Sequence, residues 1–261
     1  MQVTHSPGHN WQPDWSPDGK QIAFRSENEG GGLYVVAALG GPEQKIASFG
    51  YHPRWSPDDK QVLFETSFPT SWHNLSGIYL VTLDGSPPHE ILADFFAQHY
   101  EQVMSAAWHP DGRRISVWAE PGFTYGEVGI PSFWTVPVAG GAAVKSKPVP
   151  EVAGQLGEVA RGAATGSFGE DRTFTWAPSG NAIYFNRTFR GARNLWKMII
   201  NPPTLRATAL ERLTTGPGPD TDVAVSPDGE RLALPLAPSA PRFGCLLSMP
   251  QAAGSPAQAR R

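Results

Sequence analysis

Trp15-Ser16-Pro17-Asp18-Gly19 decides how this chain is read, because the same five-residue pattern keeps returning. It recurs as Trp55-Ser56-Pro57-Asp58-Asp59, Trp108-His109-Pro110-Asp111-Gly112 and Trp176-Ala177-Pro178-Ser179-Gly180, and last as Val225-Ser226-Pro227-Asp228-Gly229. In each copy Pro presets the φ of a turn; in all but the fourth, which has Ser179, Asp can bond back to the backbone, and in all but the second Gly accepts a left-handed exit. Asp59 stands where the other Asp-containing copies carry glycine, so a strained turn is expected there. The shortest interval between copies is about 40 residues, which is the length of one four-stranded propeller blade.

The residues around each copy fill out such a blade. An apolar strand follows each turn: Ile22-Ala23-Phe24, Val62-Leu63-Phe64, Ile115-Ser116-Val117-Trp118, Ile183-Tyr184-Phe185 and Leu232-Ala233-Leu234. These runs do not alternate cleanly, as expected of sheets packed on both faces. A third strand then carries an aromatic at a matching place, in Leu33-Tyr34-Val35, Ile78-Tyr79-Leu80, Phe133-Trp134-Thr135 and Leu195-Trp196-Lys197. Turns at Gly40-Gly41, Asp84-Gly85 and Gly140-Gly141 lead to a fourth strand, such as Gln44-Lys45-Ile46.

Composition agrees. The 261 residues include 28 Gly, 26 Pro and 9 Trp, a mixture that suits short strands and tight turns and does not suggest helices. A net charge of −3 supplies no field that would draw nucleic acid or an anionic membrane. The lone Cys245 excludes an internal disulfide framework and a cysteine-based zinc site. No stretch approaches the roughly 20 apolar residues of a membrane span, so no membrane insertion is expected. No signal peptide is visible after Met1.

These repeats closely resemble the TolB-like, WD-repeat-like β-propellers of bacteria, over nearly the whole chain up to about residue 237. The resemblance implies an all-β, six-bladed type of propeller. Propellers of this kind occur in the Tol–Pal envelope system, in sensor halves of kinases and winged-helix regulators, and in the gating domains of prolyl-oligopeptidase-like peptidases. It therefore implies a non-catalytic binding or sensing module, a protein partner or small ligand, and a periplasmic or extracytoplasmic location. Fold alone does not choose among such functions.

The expected organisation is a partial blade at residues 1–8, whole blades at about 9–49, 50–96, 97–150 and 170–215, and a partial blade at 220–237. An insertion at 151–169 precedes the fourth whole blade, and its glycine-rich stretch 162–169 is expected to be flexible. The opening Gln2-Val3-Thr4-His5-Ser6-Pro7-Gly8 matches Arg212-Leu213-Thr214-Thr215-Gly216-Pro217-Gly218, which ends the fourth blade. The expectation is a chain that starts on the last strand of an earlier blade, or one whose first strand closes the ring. From 238 to 261 an irregular or out-of-frame tail is expected. If Phe243 is encoded TTT, the frame two bases earlier can spell Val-Trp-Leu-Leu-Ala-Phe-Asp-Ala-Ala-Ser-Gly-Arg. That string aligns without gaps on Leu195 to Arg206, which suggests a frameshift near 238–242. The other reading is a naturally irregular Ala/Pro/Gln tail.

No catalytic motif stands out: the chain has no G-x-S-x-G elbow, no H-E-x-x-H and no phosphate loop with its lysine. The stretch Gly162-Ala163-Ala164-Thr165-Gly166-Ser167-Phe168-Gly169 lacks an adjacent Lys. No enzyme activity and no cofactor are expected. Topology instead places one set of loops around the central channel. Between blades these carry His9, Trp11, Tyr51, His52, His99 and Tyr100; between second and third strands they carry Trp72, His73, Tyr125, Arg190 and Arg193. Trp, Tyr and Arg are the commonest interface anchors, so this loop face is the candidate partner surface. Trp72 and Tyr125 either contact a partner or pack their own long loops. His9, His52 and His99 could ring the channel mouth and hold a metal or anion, as in a propeller hydrolase or lactonase, or be hydrogen-bonded or solvated loop histidines. Trp15, Trp55, Trp108 and Trp176 are expected to be structural. Exposed blade edges would favour self-association.

Overall fold

A computed structural model describes residues 3–4, 9–66, 77–99, 101–121, 132–163, 173–189, 192–215, 224–225, 229, 231–235 and 243–248. The first blade is β1 (Asn10–Trp15), β2 (Gln21–Ser26), β3 (Gly32–Ala37) and β4 (Gln44–Ala47). The second is β5 (Tyr51–Trp55), β6 (Gln61–Glu65), β7 (Ile78–Thr82) and β8 (His89–Ile91), followed by helix α1 (Ala93–His99). The third is β9 (Glu101–Trp108), β10 (Arg114–Pro121), β11 (Ser132–Pro137) and β12 (Val144–Lys145), followed by helix α2 (Pro150–Ala163). The fourth is β13 (Phe174–Trp176), β14 (Ala182–Phe189), β15 (Ala192–Asn201) and β16 (Arg206–Arg212). Three further strands, β17 (Ala224–Val225), β18 (Arg231–Pro235) and β19 (Phe243–Ser248), form a fifth sheet. Every sheet is antiparallel and ordered as in the chain, and the first strands of successive blades touch around the axis. The architecture is an incomplete β-propeller.

The repeated motif builds the turn between the first two strands of each blade. Ser16 accepts the Gly19 amide through its carbonyl at 2.8 Å, and its hydroxyl accepts the Gln21 amide at 2.9 Å. Ser56 repeats both bonds, with Asp59 N–H at 3.0 Å and Gln61 N–H at 3.0 Å. Asp59 sits at φ 61°, the left-handed conformation that its glycine counterparts adopt, so the expected strain is present. Its carboxylate has a use, since it accepts the Asp18 amide of the first blade's turn at 3.1 Å.

Cross-strand pairing explains the third-strand aromatic. Lys45 lies over Tyr34, Lys145 over Trp134 and Arg212 over Trp196, at 5.6, 4.9 and 5.9 Å from the ring centres. Each pair is in direct register across the third and fourth strands. Such cation–π contacts contribute roughly 0.5–1 kcal/mol at exposed sites.

Three expectations change. The insertion at 151–169 opens with a helix: α2 begins at Pro150, and its Val152 and Leu156, one turn apart, are buried against β14 and β16. Helix α1 is the second departure, and it buries Phe95 against Trp134 with ring centres 5.3 Å apart. Both helices cap blade surfaces that the sheets leave apolar. In the segment expected to be irregular, β19 pairs with β18, Leu232 opposite Leu247 and Ala233 opposite Leu246. An apolar run with one glycine can supply a third strand even though its aromatic, Phe243, stands at the start of the strand and not at the place the repeat favours.

The candidate loop-face site

The site lies where the first strands begin and the second strands end, on the face opposite the motif turns. Three residues before each motif tryptophan the chain carries Gln12, His52, Ser105 and Thr173, and all four are buried polar side chains. In the first two blades this position is a bulge. Gln12 and His52 have φ of 52° and 51°, each precedes a proline, and pairing with the second strand slips between Trp11 and Asp14 and between Tyr51 and Arg54. Pro13 and Pro53 donate no ladder bond and disfavour a right-handed residue before them, which suits a bulge.

The two bulges bond to each other. The Gln12 side-chain oxygen accepts the His52 amide at 2.9 Å, and Gln12 Nε2 lies 2.8 Å from His52 Nε2. On the other side of the ring, His52 Nδ1 is 3.8 Å from Glu65 Oε2, and Glu65 Oε1 accepts the Ala106 amide of the third blade at 2.6 Å. A chain of side chains therefore crosses three blades. In the same interface Asp14 accepts the Trp55 amide at 2.7 Å and faces Arg54 at 3.5 Å. Desolvation pushes the Asp14 carboxyl above the ordinary carboxylate range, although 27% of its side chain stays exposed, and the Arg54 charge and the Trp55 amide pull against it.

Above this network sit the aromatic groups. Trp11 and Tyr51 are half-buried and meet edge to face, with centroids 6.2 Å apart. The buried guanidinium of Arg25 lies 4.7 Å from the Tyr51 ring centre, donates to the Gly50 carbonyl at 3.1 Å, and pairs with Glu27 at 2.9 Å. Arg25 and Glu65 share one repeat position, and each reaches across to the following blade.

Of the candidate residues, Trp11, Tyr51 and His52 are brought together. His52 is not a loop histidine but a strand residue, buried and hydrogen-bonded. His9 is exposed and uses its carbonyl to accept the Glu27 amide at 3.2 Å. His99 is the last residue of α1, so a helix stands where an open loop was expected. Arg193 lies in β15 opposite Thr188. Trp72, His73, Tyr100, Tyr125 and Arg190 lie outside the described residues. Gln12, Arg25 and Glu65 were not singled out from sequence. Aligning Trp11-Gln12-Pro13-Asp14-Trp15 on Tyr51-His52-Pro53-Arg54-Trp55 would have found Gln12, because a polar residue at equal offset in two innermost strands needs a partner. Among the described residues no group of three His, Cys, Asp or Glu side chains is placed to hold a metal ion, and no helix is long and apolar enough to cross a membrane.

Comparison with solved structures places this geometry in a known fold. A protein assigned as TolB in Agrobacterium tumefaciens superposes with a TM-score of 0.56 at 20% identity, over 89% of this chain and 71% of that one. TolB from Acinetobacter baumannii gives 0.58 at 19% identity, over 88% of this chain and 49% of the other. The hydrazine synthase of Kuenenia stuttgartiensis gives 0.54 at 14%, over 90% of this chain and 57% of that chain. This chain thus spans about half of the Acinetobacter protein and well under two thirds of the Kuenenia one. No protein-family model matches the sequence, and no curated protein matches it.

Proposed function

We propose, from the premise that this chain has the TolB-like β-propeller fold, that it is a non-catalytic binding or sensing module whose loop face engages a protein partner or small ligand. The observation that carries the reading is the Trp11–Tyr51–Arg25 cluster. Two half-buried aromatic rings and a cation behind them stand at the start of the first strands, on a backbone fixed by the Gln12–His52 contact. Large rigid rings cost little entropy when they dock, and these residue types dominate interface energetics. An extracytoplasmic setting fits the family resemblance and belongs to the same proposal.

The test is capture of partners from a bacterial envelope extract by the wild-type chain, by a Trp11→Ala/Tyr51→Ala variant and by a Trp72→Ala/Tyr125→Ala variant. Circular dichroism melts run alongside. A partner lost by either variant with an unchanged melt supports the loop face. Capture of the same partners by all three proteins would move the binding surface elsewhere.

A further inference from the structure

We infer that His52 is a pH-sensitive latch between the first and second blades, closed only while its imidazole is neutral and carries its proton on Nδ1. One donor in this contact has a fixed role. The His52 backbone N–H can only donate, so the Gln12 atom 2.9 Å away must be the carbonyl oxygen. That sets the amide orientation and turns Gln12 Nε2, a donor without a lone pair, toward His52 Nε2 at 2.8 Å. His52 Nε2 must then accept, and the ring proton resides on Nδ1, facing Glu65 Oε2 at 3.8 Å.

Protonation places a second N–H on Nε2, donor against donor at hydrogen-bond distance. Gln12 can relieve this by leaving or by turning its amide over. Turning aims the NH2 at the His52 backbone N–H instead, so a buried donor is stranded either way. Every group in this contact is buried, and a stranded donor has no water to turn to.

Among the described residues, several charged groups stand near the contact. Glu65 on β6 holds one oxygen on the Ala106 amide and turns the other toward Nδ1. Arg25 on β2 lies across the Tyr51 ring, and Asp14 on β1 is occupied by Trp55 N–H and by Arg54, which is on the same strand as His52. Ser105 and Ala106 of β9 bring no charge. Glu65 favours a proton on the Nδ1 side, where the neutral tautomer already keeps it. The latch therefore holds above the imidazole titration and opens as pH falls through it. Gln12 and His52 directly follow Trp11 and Tyr51, so opening loosens the ring pair. The latch holds whether or not that ring pair binds a partner.

The experiment uses the full chain and needs no partner. Long-range nitrogen–proton NMR correlations of the His52 ring at about pH 7.5 should show the Nδ1–H tautomer. Hydrogen exchange at the His52 amide, corrected for intrinsic rate, should then lose roughly tenfold protection on going to about pH 5.5. Gln12→Glu presents an acceptor to Nε2 and should reverse the trend, with protection greater at the lower pH. An Nε2–H tautomer in the wild type, or His52 amide protection unchanged between the two pH values, overturns the latch. If Gln12→Glu does not fold, the two wild-type measurements decide alone.

Discussion

Trp15 and Trp176 hold the same place in their repeats, yet 56% of the first is exposed and only 6% of the second. Trp55 and Trp108, at 5% and 8%, side with Trp176. Their neighbours explain the difference. Trp55 packs with Ala23, Leu33 and Val35 of the first blade, Trp108 with Leu63, Ile78 and Leu80 of the second, and Trp176 with Trp118 and Phe133 of the third. The motif tryptophan is thus a plug that each blade drives into the one before it. Trp15 has no whole described blade before it. Its role is structural only by analogy, and the flank around it behaves unlike every internal interface.

The largest expected effect follows directly. Trp176→Ala should cost about 3–5 kcal/mol in chemical denaturation, the range for emptying a buried aromatic site, while Trp15→Ala should cost under about 1 kcal/mol. Equal losses would break the comparison, since they would mean that Trp15 is covered in solution. Next in size is the carboxylate between the second and third blades. Glu65→Leu should lower stability by about 1–3 kcal/mol, because Ala106 N–H loses its acceptor in a buried setting. An unchanged denaturation midpoint would show that water reaches this interface.

A smaller effect of opposite sign is expected at the second motif turn. Asp59→Gly removes a left-handed non-glycine residue and should stabilise by up to about 1 kcal/mol, reduced by loss of the exposed contact to Asp18 N–H. A destabilised variant would show that this contact outweighs the backbone strain. The smallest effect concerns acid. Bonds from Lys20, side chain first and then backbone, with a further one from the Ser16 hydroxyl, hold Asp18 down to about 2, below its ordinary 3.8. Its contribution is complete above the ordinary value and disappears as pH falls through about 2. The Lys20 amide resonance should report that step, and a midpoint near 4 would mean the turn is open in solution.

The repeats were legible because a turn needs particular residues at fixed places, and Ser16, Pro17, Asp18 and Gly19 announce themselves. The third-strand aromatics were equally readable, since Tyr34 and Trp196 fall at one register position. The helices were not. Val152 and Leu156 carry a helical spacing, but Gly154, Gly157 and Gly162 around them lower helix propensity, and burial against β14 and β16 overrides it. The site was half legible. His52 drew notice as a histidine, yet its meaning depends on Gln12, forty residues away, and on a bulge that no single repeat reveals.

Four of the contacts that cross from blade to blade share one property. Gln12 takes the amide of His52, Asp14 that of Trp55, Glu65 that of Ala106, and Asp59 that of Asp18. Each acceptor grips main chain, which every residue except proline offers alike. Such a bond depends on the gripping side chain and places no demand on the side chain of the residue it grips. A gene encoding such units can duplicate one, or let a copy wander until little of its wording survives, and still produce neighbours that hold hands.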